Sequence, residues 1–494
     1  MKHASHPTPS IVRSLIKLHR VGLSCIAHAA MAAIGTAAQA AVVTLGPSPV
    51  PLPNCPDPLL PGKCAVETAA QVEGLVSGLS AVRIGQSGFG SLLIGDSASL
   101  TVNRLDLGPG IPWVPDVVVG DNVGSVASLV VRGSGRLAIE VPATAPFNGG
   151  LVIGAFAAPP GHLGASTTMT ILDGGAVRVE KPGGTGVGSA VFVGQAAGSN
   201  SSLVLDGGIG GFGAPALGAK LDTTGNLSIG RLGTGSVSLF RNAQASANLV
   251  VMSTVGASGS SVLGVGVNST LTAAGILAGI GISPTAPGYD PISNDHGTAL
   301  ISVRDTGFIN APIVLGKGGT LMGNGVIGSL VANFGGTIRP GFSPGTLTIQ
   351  GDYEDVGGHI EIEIGSSGSD FLDVLGKLSL NGTTIDFKFI DGFAPDAGFG
   401  YDFIDANELG DLTDLHYSFS GLQPGFKFDV LRDLSSGILR FTALTVPEPG
   451  MPSLLGLAGL AAWTARRRRT RPRLASAGFW LAPWSGTAAT EANR

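Results

Sequence analysis

Five short apolar runs, each closed by a glycine, recur along the first half of the chain and restrict its fold more than any other feature. They are Val82-Arg83-Ile84-Gly85, Val117-Val118-Val119-Gly120, Leu151-Val152-Ile153-Gly154, Val191-Phe192-Val193-Gly194 and Leu227-Ser228-Ile229-Gly230, with closing glycines 35, 34, 40 and 36 residues apart. A small-polar turn follows each one. Then comes an alternating run: Ser128-Leu129-Val130-Val131, Thr168-Met169-Thr170-Ile171-Leu172, Ser202-Leu203-Val204-Leu205 or Ser236-Val237-Ser238-Leu239. A third run often follows a Gly-containing turn, as in Gly174-Gly175-Ala176-Val177-Arg178-Val179. Alternation buries one face of a strand, and glycine at a fixed phase marks a turn needing positive φ or close backbone approach.

Short strands evenly spaced by turns build either a sandwich or propeller, or a solenoid of stacked coils. Composition separates them. With 78 Gly but only 20 Phe, 4 Trp and 4 Tyr, the chain lacks the repeated aromatic anchors of propeller blades. It can fill only thin layers of small and β-branched side chains. The reading is an all-β fold, a parallel β-helix over residues 72–385. With two coils per repeat it predicts about fifteen coils and a rod on the order of 70 Å. The phase drifts after Val251, and Gly281 to His296, with three prolines, reads as an extruded loop. From Thr298 the pattern returns. Larger aromatics gather in residues 386–445 (Phe387, Phe389, Phe399, Tyr401, Phe403, Tyr417, Phe419) and predict a β cap over the open strand edges.

The strand ending in Ile/Val-Gly, the Gly/Ser turn and the following Leu-x-Val resemble the repeat shared by autotransporter passengers and PEP-CTERM proteins. Gly319-Thr320-Leu321-Met322-Gly323-Asn324-Gly325, Gly335-Gly336-Thr337-Ile338-Arg339-Pro340-Gly341 and Ser343-Pro344-Gly345-Thr346-Leu347-Thr348-Ile349 resemble the C-terminal end of a passenger β-helix. So do His359-Ile360-Glu361-Ile362-Glu363-Ile364 and Asp370-Phe371-Leu372-Asp373-Val374-Leu375-Gly376. In that family the region is structural.

Both ends carry addresses. Lys2, Arg13, Lys17 and Arg20 precede an apolar run from Val21 to Thr36, and Ala38-Gln39-Ala40 stands before Ala41. This is the pattern of a secretory signal peptide over residues 1–40, cleaved at Ala41, since the run is short for a bilayer span. Residues 41–71 are Pro-rich and hold Cys55 and Cys64. In an oxidising compartment the pair predicts one small disulfide loop, two unpaired thiols being the alternative. Near the other end come Val446-Pro447-Glu448-Pro449, an apolar run from Met451 to Ala465, and Arg466-Arg467-Arg468-Arg469. Arginines beside an apolar segment stay cytoplasmic, which leaves the preceding chain on the other side of the membrane.

These three parts in this order resemble the PEP-CTERM sorting signal, residues 446–469. The resemblance implies recognition by an exosortase-type membrane peptidase in Gram-negative bacteria that make exopolysaccharide, a transient inner-membrane helix, and release to the surface or matrix. A plain C-terminal anchor is the alternative. Residues 470–494 depart from the pattern, because such signals stop soon after the arginines.

Catalysis has little to stand on. Asp352, Glu361, Glu363, Asp370 and Asp373 are the densest carboxylates; Glu361 and Glu363, alternating with isoleucines, read as a solvated strand face. Four histidines fall in the leader, and His162, His296, His359 and His416 show no metal-ligand spacing. Asp173-Gly174-Gly175 and Asp206-Gly207-Gly208 read as turns rather than calcium nonapeptides. No Gly-rich stretch carries a phosphate-loop Lys-Ser/Thr, and a net charge of −5 offers no basic face to nucleic acid. The expectation is an exported, non-enzymatic structural or adhesive protein without a cofactor, with exopolysaccharide or another matrix component as a partner. The rivals are a polysaccharide lyase or glycosidase on the same scaffold and an autotransporter passenger-like adhesin, which would need a C-terminal barrel.

Overall fold

The computed structural model describes residues 50–51 and 63–444, apart from 73, 87, 104–115, 121–123, 142–149, 155–163, 182–188, 209–216, 254–258, 281–296, 343, 423–425 and 434. Every regular element among them is a strand. The strands form long parallel sheets, consistent with a β-solenoid. One circuit visits three faces. Val126–Arg132 lies on the first, Arg136–Glu140 on the second and Leu151–Ile153 on the third, and Ser166–Leu172 returns to the first, in register above Val126–Arg132.

A repeat is therefore one coil, not two. Ile153 pairs with Val119 below and Val193 above, so stacked positions are a whole repeat apart. The third strand of each repeat completes the circuit instead of opening another, and connections between faces take up the remaining length. The first-face sheet has 15 strands among the described residues, all but Gly368–Ser369 in one parallel ladder from Val50–Pro51 to His416–Ser420. At one strand spacing per rung the ladder spans about 65 Å. Where the sequence phase drifts the stack continues: Val250–Met252 pairs with both Leu227–Ile229 and Ile276–Ala278. Coil length shortens instead, with 18 residues from Ile313 to its partner Val331. The Gly281–His296 loop lies outside the described residues.

The repeat glycines turn the chain from the third face to the first. Gly194 and Gly230 have φ of 72° and 61°, and a Cβ on either would strike the backbone of the next coil at Thr234 and Ser260. Ser253 takes this corner one coil later at φ 48°, its hydroxyl donating to Thr298 O at 2.7 Å.

A single core of small and branched side chains runs from Val66 to Ala443. A second, smaller cluster of Val118, Val152 and Phe192 lies on the outward side of the third face, and all three are buried. Those strands are thus covered on both faces, which is why they read as continuous apolar runs rather than alternating ones.

The triangle flattens near its C-terminal end. Phe371–Asn381 pairs with Thr346–Ile349 through its first half and Tyr353–Val356 through its second, merging two faces into one 25-stranded sheet. Gly400–Thr413 stacks on it in parallel, and Ile438–Ala443 then pairs antiparallel with Gly400–Thr413 and with Phe428–Asp433. Phe387, Phe403 and Phe441 are fully buried between the two sheets there. The larger sheet thus ends in an antiparallel, aromatic-filled closure, while the first-face ladder ends on His416–Ser420.

Candidate functional site

The densest carboxylates do not converge. Ile360, Ile362 and Ile364 point into the core, fully buried, and Glu361 and Glu363 face outward from the same strand. Glu361 accepts from Arg339 Nε at 2.9 Å and from Arg339 Nη2, and Lys388 Nζ lies 2.6 Å from the same carboxylate. The two cations come from the coils below and above, Thr337–Pro340 and Thr384–Phe389. Asp352 and Asp373 belong to the other sheet. There Asp352 accepts the Lys377 amide at 2.9 Å, and Asp373 accepts the Thr348 hydroxyl at 3.2 Å.

Asp370 is different. It is 3% exposed and accepts two amides, Gly345 at 3.1 Å and Glu363 at 3.0 Å. Burial pushes its carboxyl up to about 7, the Glu363 and Glu361 charges add to this, and the two amides oppose it. A glycosidase needs one carboxylic acid and one carboxylate facing a shared substrate. Here the carboxylates divide between two sheets, and Asp352, Glu361, Asp370 and Asp373 each accept from groups within the fold.

The Asp-Gly-Gly turns resolve similarly. Asp206, 7% exposed, accepts Arg241 Nε at 2.8 Å, a second contact from Arg241 Nη2, and the Gly208 amide at 3.1 Å. The guanidinium stands where a calcium ion would need that carboxylate, and the Asp206 hydrogen bond raises the Arg241 pKa further. Asp173 sits in a turn at φ 46°. Among the described residues no group of three or more His, Cys, Asp or Glu could hold a metal ion. His359 Nδ1 lies 3.4 Å from Asp386 Oδ2, and His416 is exposed on His416–Ser420; His162 and His296 lie outside the described residues.

Sequence reasoning passed over the most connected polar site. Asp355 is 1% exposed, and Asn333 and Thr383 are fully buried beside it. Its carboxylate accepts Asn333 Nδ2, Tyr353 Oη and Thr383 Oγ1, each at 2.6 Å, and the Gly358 amide at 2.9 Å. Burial first, then the Asp355 charge, holds the Tyr353 phenol well above its ordinary range. A sequence signal existed. Asn333-Phe334-Gly335-Gly336 and Asp355-Val356-Gly357-Gly358 repeat Asx-x-Gly-Gly, and Asn333 pairs in register with Asp355. Each Asx side chain accepts the amide three residues on, Gly336 at 2.8 Å and Gly358 at 2.9 Å, and so closes the corner. The arrangement binds corner to corner and presents no group to solvent.

No known protein family matches the chain, and no curated protein matches it.

The predicted address residues lie outside the described residues: Ala38, Ala40 and Ala41, Val446 to Pro449, Arg466 to Arg469, and the apolar run between the last two groups. Cys55 lies outside as well; Cys64 belongs to Lys63–Val66, in register with Val82. No helix among the described residues is long and apolar enough to cross a membrane.

Proposed function

We propose that this chain is an exported, non-enzymatic structural or adhesive protein of the cell surface or extracellular matrix, a parallel β-helix sorted through a PEP-CTERM tail. The observation that carries the proposal is the three-part tail: Val446-Pro447-Glu448-Pro449, the apolar run to Ala465, and Arg466 to Arg469. Two prolines keep the first part extended and open to an exosortase-type peptidase, and the apolar run holds it at the inner membrane. The leader with Ala38-Gln39-Ala40 delivers the other end to the same compartment.

The body supports this reading by its build. It is a ladder of about 65 Å made of thin layers, suited to spanning a distance or offering a long face to exopolysaccharide or another matrix component. Its carboxylates hold its own coils together. In the producing cell, Glu448→Ala and deletion of Arg466–Arg469 are each expected to reduce the surface-exposed fraction at least about tenfold, a change of about 1.4 kcal/mol in partition. Fractionation and surface labelling measure it. Undiminished delivery of both variants would refute the sorting assignment.

A further inference from the structure

We propose that the outward side of the first-face ladder, from Val126–Arg132 to Gly319–Gly323, is a docking surface for a second copy of this chain, sheet against sheet across a two-fold axis. Seven successive rungs make it up, paired in parallel without a register shift. Alternate residues of each rung turn away from the core, three on most rungs. None of them is charged. Val126, Val130, Val204, Val262, Leu300 and Met322 are apolar, and the rest are Ser, Thr, Asn and one Gly. Val126 is 54% exposed.

The loss of charge is confined to this face. The next rungs of the same sheet turn Arg339, Glu361, Glu363, Asp386 and Lys388 outward. On the second face of the same coils Arg178 pairs with Glu180 and Lys220 with Asp222. Arg132, Asp206 and Arg304 stand only at the margin, where Asp206 turns to Arg241 and Arg304 lies over Phe342. Depletion of charge over a broad patch is the compositional mark of an interface core. The hydroxyls are partly satisfied within the ladder, since Ser202 Oγ donates to Thr168 Oγ1 and Thr298 Oγ1 to Ser260 Oγ, each at 3.2 Å. Covering them with another sheet therefore strands few hydrogen-bonding groups.

Area and charge select a copy of this chain as the occupant. At one strand spacing per rung the face measures about 34 Å by about 20 Å, so two copies meet over about 1,400 Å² in all, inside the range of stable specific interfaces. In an isologous contact a residue on the axis meets itself, so a charged centre repels its copy and this neutral one does not. The contact uses the same patch on both copies and closes at two, leaving the charged second faces in solvent.

Sedimentation of the full-length chain tests this, with Ser236 as the probe because it stands at the middle of the middle rung, Thr234–Phe240. The parent is expected to be a dimer at low micromolar concentration, and to remain one as sodium chloride rises from about 0.05 to about 0.5 M, because no ion pair holds it. Ser236→Lys sets like charges against each other and is expected to raise the dissociation constant at least about thirtyfold. Thr272→Lys places the same charge on the second face, where Thr272 is exposed, and is expected to change it less than about twofold. Mixing Ser236→Lys with Ser236→Glu is expected to recover a mixed dimer, which a misfolded variant cannot form. A monomeric parent, including one that instead retains a neutral polysaccharide on this face, would overturn the proposal. So would dissociation of the parent by salt, a Ser236→Lys dimer as tight as that of Thr272→Lys, or a mixture that stays monomeric.

Discussion

Asp355→Ala is expected to destabilise the C-terminal coils by at least about 3 kcal/mol, because it strands buried donors without an acceptor. Tyr353 Oη, Thr383 Oγ1 and the Gly358 amide lose the acceptor, and Asn333 Nδ2 keeps only Gly336 O at 3.1 Å. Asn333, Tyr353 and Thr383 are fully buried, so bulk water does not reach them. The neighbouring Glu354 is exposed on the same strand, and Glu354→Ala should change stability by no more than about 0.5 kcal/mol. A stacked array need not unfold as one unit, so the measurement is urea-dependent hydrogen exchange of the strands from Val331–Asn333 to Thr384–Phe389. Equal midpoints for the two variants would show that the network is dispensable.

Phe441→Ala should be comparably damaging, for an apolar reason. The Phe441 ring lies 5.2 Å from Phe387, 5.7 Å from Phe389, 5.8 Å from Phe428 and 6.0 Å from Phe419, centroid to centroid. Removing it opens a cavity between sheets that relax little, at a cost of about 3–5 kcal/mol. The loss should also bare the rings of Phe419 and Phe428 that pack on it, beside the terminal strand His416–Ser420, and an apolar strand edge recruits further strands. Faster cleavage within residues 400–444 and concentration-dependent self-association are therefore expected together. Phe399, 47% exposed at the rim, is the control, and Phe399→Ala should cost under about 1 kcal/mol. A Phe441→Ala protein that resists protease like the parent would mean that the closure rests on something other than its rings.

Parts of this architecture could be read from the residues alone, and the reasons for the misses are physical. The glycine closing each repeat was visible because positive φ and backbone crowding leave no alternative at Gly194 or Gly230. The number of coils per repeat was not, since loops of varied length separate the second and third faces and disguise three strands of one circuit as two coils. Continuity through Val250–Met252 was hidden where Ser253, stabilised by its own hydroxyl, replaced the expected glycine. Val118, Val152 and Phe192 showed apolar character at every position but not what it meant, burial on both faces. Glu361 and Glu363 were legible as an outward pair. The depth of Asp355 and Asp370 was not, because Asp near glycine looks like any surface turn until the next coil is laid over it.

In the proposed function the stacked body is cargo, carried across the inner membrane and parted from its tail. The most direct measurement is the intact mass of the protein recovered from the cell surface. The claim predicts a chain beginning at Ala41 and ending near the Pro447-Glu448-Pro449 segment, lacking the apolar run and Arg466 to Arg469. A surface species that still carries Thr470 to Arg494, or a chain found only inside the cell with residues 1–40 attached, would contradict it.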